Sequence, residues 1–269
     1  MALYKVDEID FFERKTHMRF TPRPYAHYHD KHELYYLAKG QAKYFVGNDI
    51  FMLEPGDMIF VPKGVVHRAD YGESENVERV LFSFDDKIFD EENSEYISYL
   101  KENKYVRISQ ENQYELKNIF LGIEKETERE QSGYRKMQKL YFDQLLILIS
   151  RYSHKGRGTH LSESYIVVQN AAKYISENYN EDLRLENLAE KYYMSPWHFS
   201  RLFKSVTGMG LNEYINIARI RAAEQLLSKT DLPITAVAAK CGFNDSNYFS
   251  NVFKRIKGIT PKKYQLARR

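Results

Sequence analysis

Cysteine is nearly absent. Cys241 is the single one in 269 residues, so no disulfide can form within the chain and a disulfide-stapled secreted scaffold is excluded. Long apolar runs are absent as well, none nearing the ~20 residues with which a helix crosses a bilayer. The opening stretch MALYKVDEIDFF is too charged for the apolar part of a signal peptide, and the expectation is a cytoplasmic protein. Excess charge of either sign is also lacking: the net value is only +3, so overall charge names no polyanionic partner.

What is present suffices for two domains, at a prior of roughly one domain per ~150 residues. Hydrophobic residues make up 43% and charged residues 29%, an ordinary globular balance, while 22 Tyr and 16 Phe supply aromatic surface suited to pockets and interfaces. The small net charge hides an asymmetry. Residues 165–269 carry 16 Lys and Arg against 9 Asp and Glu, and residues 1–164 carry 24 against 28. The basic C-terminal part suits DNA and the acidic N-terminal part does not.

From His32 to Phe84, the β-rich runs ELYYLA, AKYFV, DMIFV and ERVLFSF are separated by the turn signals LAKGQ, VGNDI and LEPGD, the pattern of an all-β sandwich or barrel. The apolar period then becomes helical at Leu116, Ile119, Phe120 and Ile123. After a break at QSGY it resumes at Leu140, Leu145, Leu146 and Ile149, which predicts an antiparallel helical hairpin. SHKGRGTHLSES, residues 153–164, is small, polar and glycine-containing, as linkers are. The expected class is α+β: a barrel over 1–108, a hairpin over 109–152, a linker over 153–164 and an all-α domain over 165–269.

That last part repeats itself. LENLAEKYYMSPWHFSRLFKSVTG from Leu185 aligns with ITAVAAKCGFNDSNYFSNVFKRIKG from Ile234, pairing Leu188 with Val237, Ala189 with Ala238 and Met194 with Phe243. After one extra residue in the second turn, Phe199, Phe203, Lys204, Gly208 and Tyr214 pair with Phe249, Phe253, Lys254, Gly258 and Tyr264. An internal duplication accounts for this pattern.

Each copy reads as a short helix, a turn capped by Ser195 or Asp245, and a second helix with apolar residues at i, i+3 and i+4, the plan of a helix-turn-helix. The second helices present Trp197, Ser200, Arg201 and Lys204 in one copy, and Ser246, Asn247, Ser250, Asn251 and Lys254 in the other. Arg pairs bidentately with guanine and Asn with adenine, each good contact discriminating by roughly 1–3 kcal/mol. Between the copies, Gly210 to Lys229 forms one helical pattern about 30 Å long, close to the ~34 Å of one DNA turn. Lys204, Arg219, Arg221, Lys254, Arg255, Lys257, Lys262 and Lys263 are candidates for phosphate contacts. Cys241, in the turn before Gly242, reads as a small structural residue.

Residues 165–269 resemble the DNA-binding module of the AraC/XylS family of bacterial transcription regulators. The resemblance rests on SPWHFSRLFKSVTG, on ARIRAAEQLL in the linking helix, and above all on ITAVAAKCGFNDSNYFSNVFKRIKGITPKKY. The order of barrel, hairpin, linker and duplicated helix-turn-helix is similar to that family's arabinose-sensor members over the whole chain. The resemblance implies a small effector, often a sugar, in the barrel, a homodimer paired through the hairpin, and double-stranded DNA and RNA polymerase as partners. Effector binding would change the disposition of barrel, hairpin or the N-terminal arm, Met1 to Pro22.

The barrel carries a second resemblance. His27-x-His29-x3-Glu33-x6-Gly40, followed by Gly56-x5-Pro62-x-Gly64-x2-His67, looks like the two motifs of the cupin superfamily, with Tyr71 where the second motif usually closes with Asn. Residues 27, 29 and 33 share parity, so an unbroken strand would turn all three into a cupin-like jelly roll, with His67 joining from a neighbouring strand and His32 facing away. Three imidazoles and one carboxylate can hold a divalent metal with open positions. With Arg23, Tyr25 and Tyr35, the same four residues instead make a pocket for a sugar or related polar metabolite, and this effector reading, which requires no cofactor, is preferred. A metal-dependent cupin enzyme, or a metal-sensing regulator, on His27, His29, Glu33 and His67 stays open as the alternative; the expected protein is a regulator and not an enzyme.

Overall fold

The computed structural model describes residues 12–17, 26–29, 31–72, 74, 76–86, 94–154 and 162–267. Two compact units result, Met1–Leu161 and Ser162–Arg269. No helix among the described residues is long and apolar enough to cross a membrane.

The first unit is built on two antiparallel sheets. Its strands are β1 (Phe12–His17), β2 (His32–Lys39), β3 (Ala42–Val46), β4 (Asp49–Leu53), β5 (Asp57–Val61), β6 (His67–Asp70), β7 (Val77–Phe84), β8 (Tyr105–Ile108) and β9 (Ser153–His154). Six of them run in the order β1-β7-β2-β5-β8-β9, and the other three in the order β4-β3-β6. The helices are α1 (Ser94–Glu102), α2 (Gln113–Arg129) and α3 (Tyr134–Tyr152).

Strand β2 is buried on both sides, which explains why HELYYLA shows no polar alternation. Leu34 and Tyr36 join Phe60, Phe82, Phe120, Phe142 and Leu146 in a core between the larger sheet and the helices. Tyr35 and Leu37 join Ala42, Tyr44, Val46, Ile59 and Val61 in a second core between the two sheets. The hairpin α2–α3 is therefore the outer layer of its own sheet. Its helices cross closely at Gly122, where an added Cβ would lie 2.5 Å from the Tyr141 ring.

Several elements depart from expectation. Phe12–His17, expected within an arm, pairs antiparallel with β7 from Phe12↔Phe82 to His17↔Val77. β4 occupies a stretch read partly as turn, α1 and β8 were not anticipated, and the neighbouring strand expected to carry His67 is β6. Ser153–His154, expected as linker, pairs with β8, and the first helix of the second unit begins at Glu163. Leu140, expected in the hairpin core, is 52% exposed, whereas Leu145, Leu146 and Ile149 are buried.

The second unit consists of α4 (Glu163–Glu177), α5 (Leu185–Lys191), α6 (Pro196–Thr207), α7 (Leu211–Lys229), α8 (Ile234–Lys240), α9 (Ser246–Lys257) and α10 (Pro261–Ala267). The duplication extends to individual hydrogen bonds. Met194 N donates to Ala189 O at 2.9 Å and Phe243 N to Ala238 O at 3.0 Å, closing the same turn after α5 and α8. Ser195 caps α6 by accepting from His198 N, and Asp245 caps α9 by accepting from Tyr248 N. Gly208 and Gly258 end these helices in the left-handed conformation, donating to Lys204 O and Lys254 O. Inside, Phe203 meets Tyr214 edge-on at 5.3 Å and Phe253 meets Tyr264 at 5.4 Å.

Tyr193 and Gly242 occupy the same turn position in the two copies, with φ of 55° and 79°. Tyr193 is 98% exposed, but a Cβ on Gly242 would lie 2.9 Å from the Asn180 backbone. Gly242→Ala is therefore expected to destabilise this unit by about 1–2 kcal/mol or more, from the left-handed penalty plus the clash. Tyr193→Gly should change stability by no more than about 1 kcal/mol. Urea unfolding monitored by circular dichroism checks both; equal effects would refute the distinction.

Candidate functional site

Two constellations stand out, one in each unit. In the first, the backbones of His27 and His67 pair reciprocally, His27 N to His67 O at 3.0 Å and His67 N to His27 O at 2.9 Å, which sets the two rings 4.3 Å apart. Gly64 N donates to His29 O at 2.8 Å, holding the chain just before β2 against the β5–β6 connection. The segment is thus not the unbroken strand that parity assumed: β2 begins only at His32, and the short His27–His67 bridge does the placing. Glu33, held in register with Val61 and Ser83, points between the sheets.

Glu33, His29 and His67 are almost wholly buried, at 3%, 4% and 1% exposure. Glu33 Oε2 lies 2.9 Å from His29 Nε2 and 3.5 Å from His67 Nε2, and Tyr44 donates its hydroxyl to Oε1 at 2.8 Å. Burial, the largest influence on this carboxyl, acts to raise its pKa. The charge of His67 and the hydrogen bonds from His29 and His67 outweigh it and hold the group well below the usual carboxylate range. The ligand-capable nitrogens of His27, His29 and His67 all lie within 4.8 Å of one another.

A tyrosine ladder adjoins this cluster. Tyr35 donates to the Tyr71 hydroxyl at 3.2 Å and lies 4.8 Å from the Tyr44 ring. Burial, ahead of neighbouring polar groups, pushes the phenols of Tyr35, Tyr44 and Tyr71 up, so they stay neutral donors. The structure thus brings together His27, His29, Glu33, Tyr35 and His67, and adds Tyr44 and Tyr71. The inward parity of Tyr44 with Ala42 and Val46 was the available signal for the first. Arg23 and Tyr25 lie outside the described residues. His32 is turned to the other core, stacked between Phe60 and Phe84, with Nε2 on Asp86 at 2.8 Å and Nδ1 accepting from Lys63 N at 3.2 Å.

In the second unit, α6 and α9 bury Phe199, Phe203, Phe249 and Phe253 and turn polar faces outward. Trp197 is 66% exposed with the Arg201 guanidinium 4.5 Å above its ring, and Lys204 is exposed beyond them. On α9, Asn247, Asn251 and Lys254 are exposed. Ser200, Ser246 and Ser250 are half-buried, and the Ser250 hydroxyl donates to Ser246 O at 2.9 Å, within its own helix.

Two of the basic residues assigned to phosphates have other work, and a third is half-buried. Arg219 donates to Tyr179 O and Glu181 O, both at 2.8 Å, and lies over the Phe243 ring, so it fastens the α4–α5 connection to α7. Lys257 reaches Glu224 Oε1 at 2.7 Å, where Tyr264 also donates. Arg221 is half-buried, and its desolvation lowers its pKa. Arg255, Lys262 and Lys263 remain exposed with Lys204 and Lys254. Cys241 is buried, and that burial pushes its thiol up to about 11, so it is inert packing.

Comparison with known proteins gives matching divisions. The AraC-like ligand binding domain family matches residues 11–146, and the helix-turn-helix domain family matches residues 188–267. The transcriptional activator RhaR of Mannheimia succiniciproducens is 24% identical over 241 residues, covering 89% of this chain and 86% of that protein. The regulatory protein PocR of Salmonella typhimurium is 38% identical over 98 residues, covering 36% of this chain and 32% of that protein. The C-terminal domain of AraT, a response regulator from Geobacillus stearothermophilus, is 33% identical, covers 41% of this chain and 89% of that chain, and superposes with a TM-score of 0.38. With one family spanning half its length and the other its duplicated helices, the chain belongs to the AraC family of transcription regulators, a ligand-binding domain followed by a DNA-binding helix-turn-helix domain.

Proposed function

We propose that this regulator works in the cytoplasm as a homodimer and answers a sugar or related hydroxylated metabolite, bound in the barrel beside His27, His29, Glu33, Tyr35, Tyr44 and His67. The carrying observation is the pair of capped helices α6 and α9, each with an exposed polar face, joined through the 19-residue α7. At ~1.5 Å per residue, α7 is about 28 Å long, suited to two successive major grooves. Arg201, Asn247 and Asn251 read bases, Lys204 and Lys254 hold phosphates, and RNA polymerase is met at the promoter.

The dimer reading is supported by the outer face of the hairpin. Tyr114 and Leu121 on α2, seven residues apart, and Met137 and Leu140 on α3, three apart, are exposed while the opposite faces pack on the sheet. Effector binding then acts through differential affinity for two dispositions of the dimer.

Affinity for duplex DNA is expected to fall steeply with salt, and Lys204→Ala or Lys254→Ala should each reduce the log–log slope by about 1. Arg201→Ala should cost roughly 1–3 kcal/mol at the preferred site and relax base choice. Arg219→Ala should instead lower the melting temperature and leave the slope unchanged, because its side chain is committed to two carbonyls. Fluorescence anisotropy across a salt series decides these points; binding indifferent to both salt and Arg201 sinks the reading. Sedimentation of the full chain should show a dimer that the double variant Leu121→Glu, Leu140→Glu converts to monomer, and a monomeric parent protein overturns the dimer.

A further inference from the structure

Strand β7 carries two polar residues on its inward face. Val77 and Leu81 lie in the core between the sheets, whereas Val80, Phe82 and Phe84 lie in the core beneath the helices. Arg79 and Ser83 share parity with Val77 and Leu81, so both enter the space between the sheets. Ser83 is in register with Glu33. Its hydroxyl is buried, at 2% exposure, and has no hydrogen-bond partner among the described residues. Such a group is costly to bury until a partner reaches it.

Arg79 is half-buried and in register with Leu37. Tyr35 pairs with Leu81, which makes Arg79 its diagonal neighbour, at about 7–8 Å and within reach of a long side chain. Tyr35, from the larger sheet, donates to Tyr71, just beyond β6 of the smaller one, so the Tyr71 proton is directed beyond the pair. Burial raises the pKa of both phenols, and the charge of Arg79 acts against it on each, which places the guanidinium near the two hydroxyls. Protonated phenols supply no negative charge. The carboxylates of the same face are engaged with other groups: Glu33 with His29, His67 and Tyr44, and Asp57 with Arg107 at 2.6 and 2.9 Å.

The space between the sheets is thus polarised, with an acceptor where Glu33 adjoins Ser83 and cationic donors where Arg79 adjoins Tyr71. The backbones of Ser83 and Arg79 are ~13 Å apart along β7, and the long arginine side chain closes part of that distance. We infer that the effector is a hydroxylated acid, a sugar acid or sugar phosphate, with its anionic group on Arg79 and Tyr71 and its hydroxyls on Glu33 and Ser83. The planar fork of a guanidinium meets carboxylate or phosphate oxygens with two parallel, charge-assisted hydrogen bonds. A neutral sugar offers only uncharged acceptors there, and forgoes that stronger pairing. This class of effector rests on the proposed binding of a hydroxylated metabolite in the barrel, and narrows it by charge.

The test titrates the full chain calorimetrically with glucuronate, galacturonate and mannuronate, with the 6-phosphates of glucose, galactose and mannose, and with the three neutral parent sugars. At least one acid is expected to bind, one per chain, at least about 10-fold more tightly than its parent, as a charge-assisted pair would give. Whether that acid is a uronate or a phosphate tells carboxylate from phosphate. Arg79→Gln should bring its affinity down to that of the parent sugar, and Arg79→Lys, which keeps the charge without the fork, should fall between. Ser83→Ala should weaken acid and parent alike. If Arg79→Gln fails to fold, the ratio of acid to parent affinity in the unaltered protein and in Arg79→Lys decides. No acid binding more tightly than its parent, or an unchanged ratio in a folded Arg79→Gln, overturns the anionic effector. A neutral sugar bound tightly without gain from the acid does so while keeping the sugar reading, whereas no binding by any compound counts against both. Salt-dependent binding of generic duplex DNA on the same samples tests the regulator reading separately, and its loss counts against that reading alone.

Discussion

Strand β2 sends Leu34 and Tyr36 into the core beneath the helices and Glu33, Tyr35 and Leu37 into the space between the sheets. A shift of register by one residue would exchange these two sets, placing a carboxylate among phenylalanines and a leucine among histidines. Both covers must therefore form for either to hold. The hairpin α2–α3 fixes the register from outside, and the pairing of Glu33 with His29, His67 and Tyr44 fixes it from inside. The site inherits its rigidity from this strand, since its carboxylate is the first inward residue of a sheet paired on both sides.

In the second unit, positive charge is divided between residues tied into the fold and residues left exposed. Arg219 and Lys257 are bound to carbonyls or to Glu224, and their positive charge holds the helices in place. Lys204, Arg201 and Lys254 stand outside on α6 and α9. The stacking of Arg201 on Trp197 holds a long side chain over the ring, an order that would lower the cost of fixing it in the proposed DNA contact.

Much of this architecture was legible in the sequence because it is periodic or repeated. The duplicated helices announced themselves through Phe199 and Phe249, Phe203 and Phe253, Gly208 and Gly258, and the strands β2, β3, β5 and β7 through aromatic and β-branched runs. The four residues His27, His29, Glu33 and His67 were legible from spacing, although their convergence owes more to the His27–His67 bridge than to strand parity. What escaped lacked a local signal. FERKTH becomes a strand because β7 offers an edge to pair with, which no property of that short charged stretch declares. Tyr44 and Tyr71 belong to the site through partners 11 and 36 residues away. Arg219 looked ready for phosphate until its carbonyl partners, 38 and 40 residues distant in sequence, were in view.

The connection between α4 and α5 lies against the second copy of the repeat. Asn180 fills the space that forces Gly242 to be glycine, and Arg219, over Phe243, grips Tyr179 and Glu181 on either side of it. A segment that precedes the first helix-turn-helix is thus locked to the turn of the second. Two repeats so interleaved are expected to melt together in a single cooperative transition, because removing either strips the other of packed contacts.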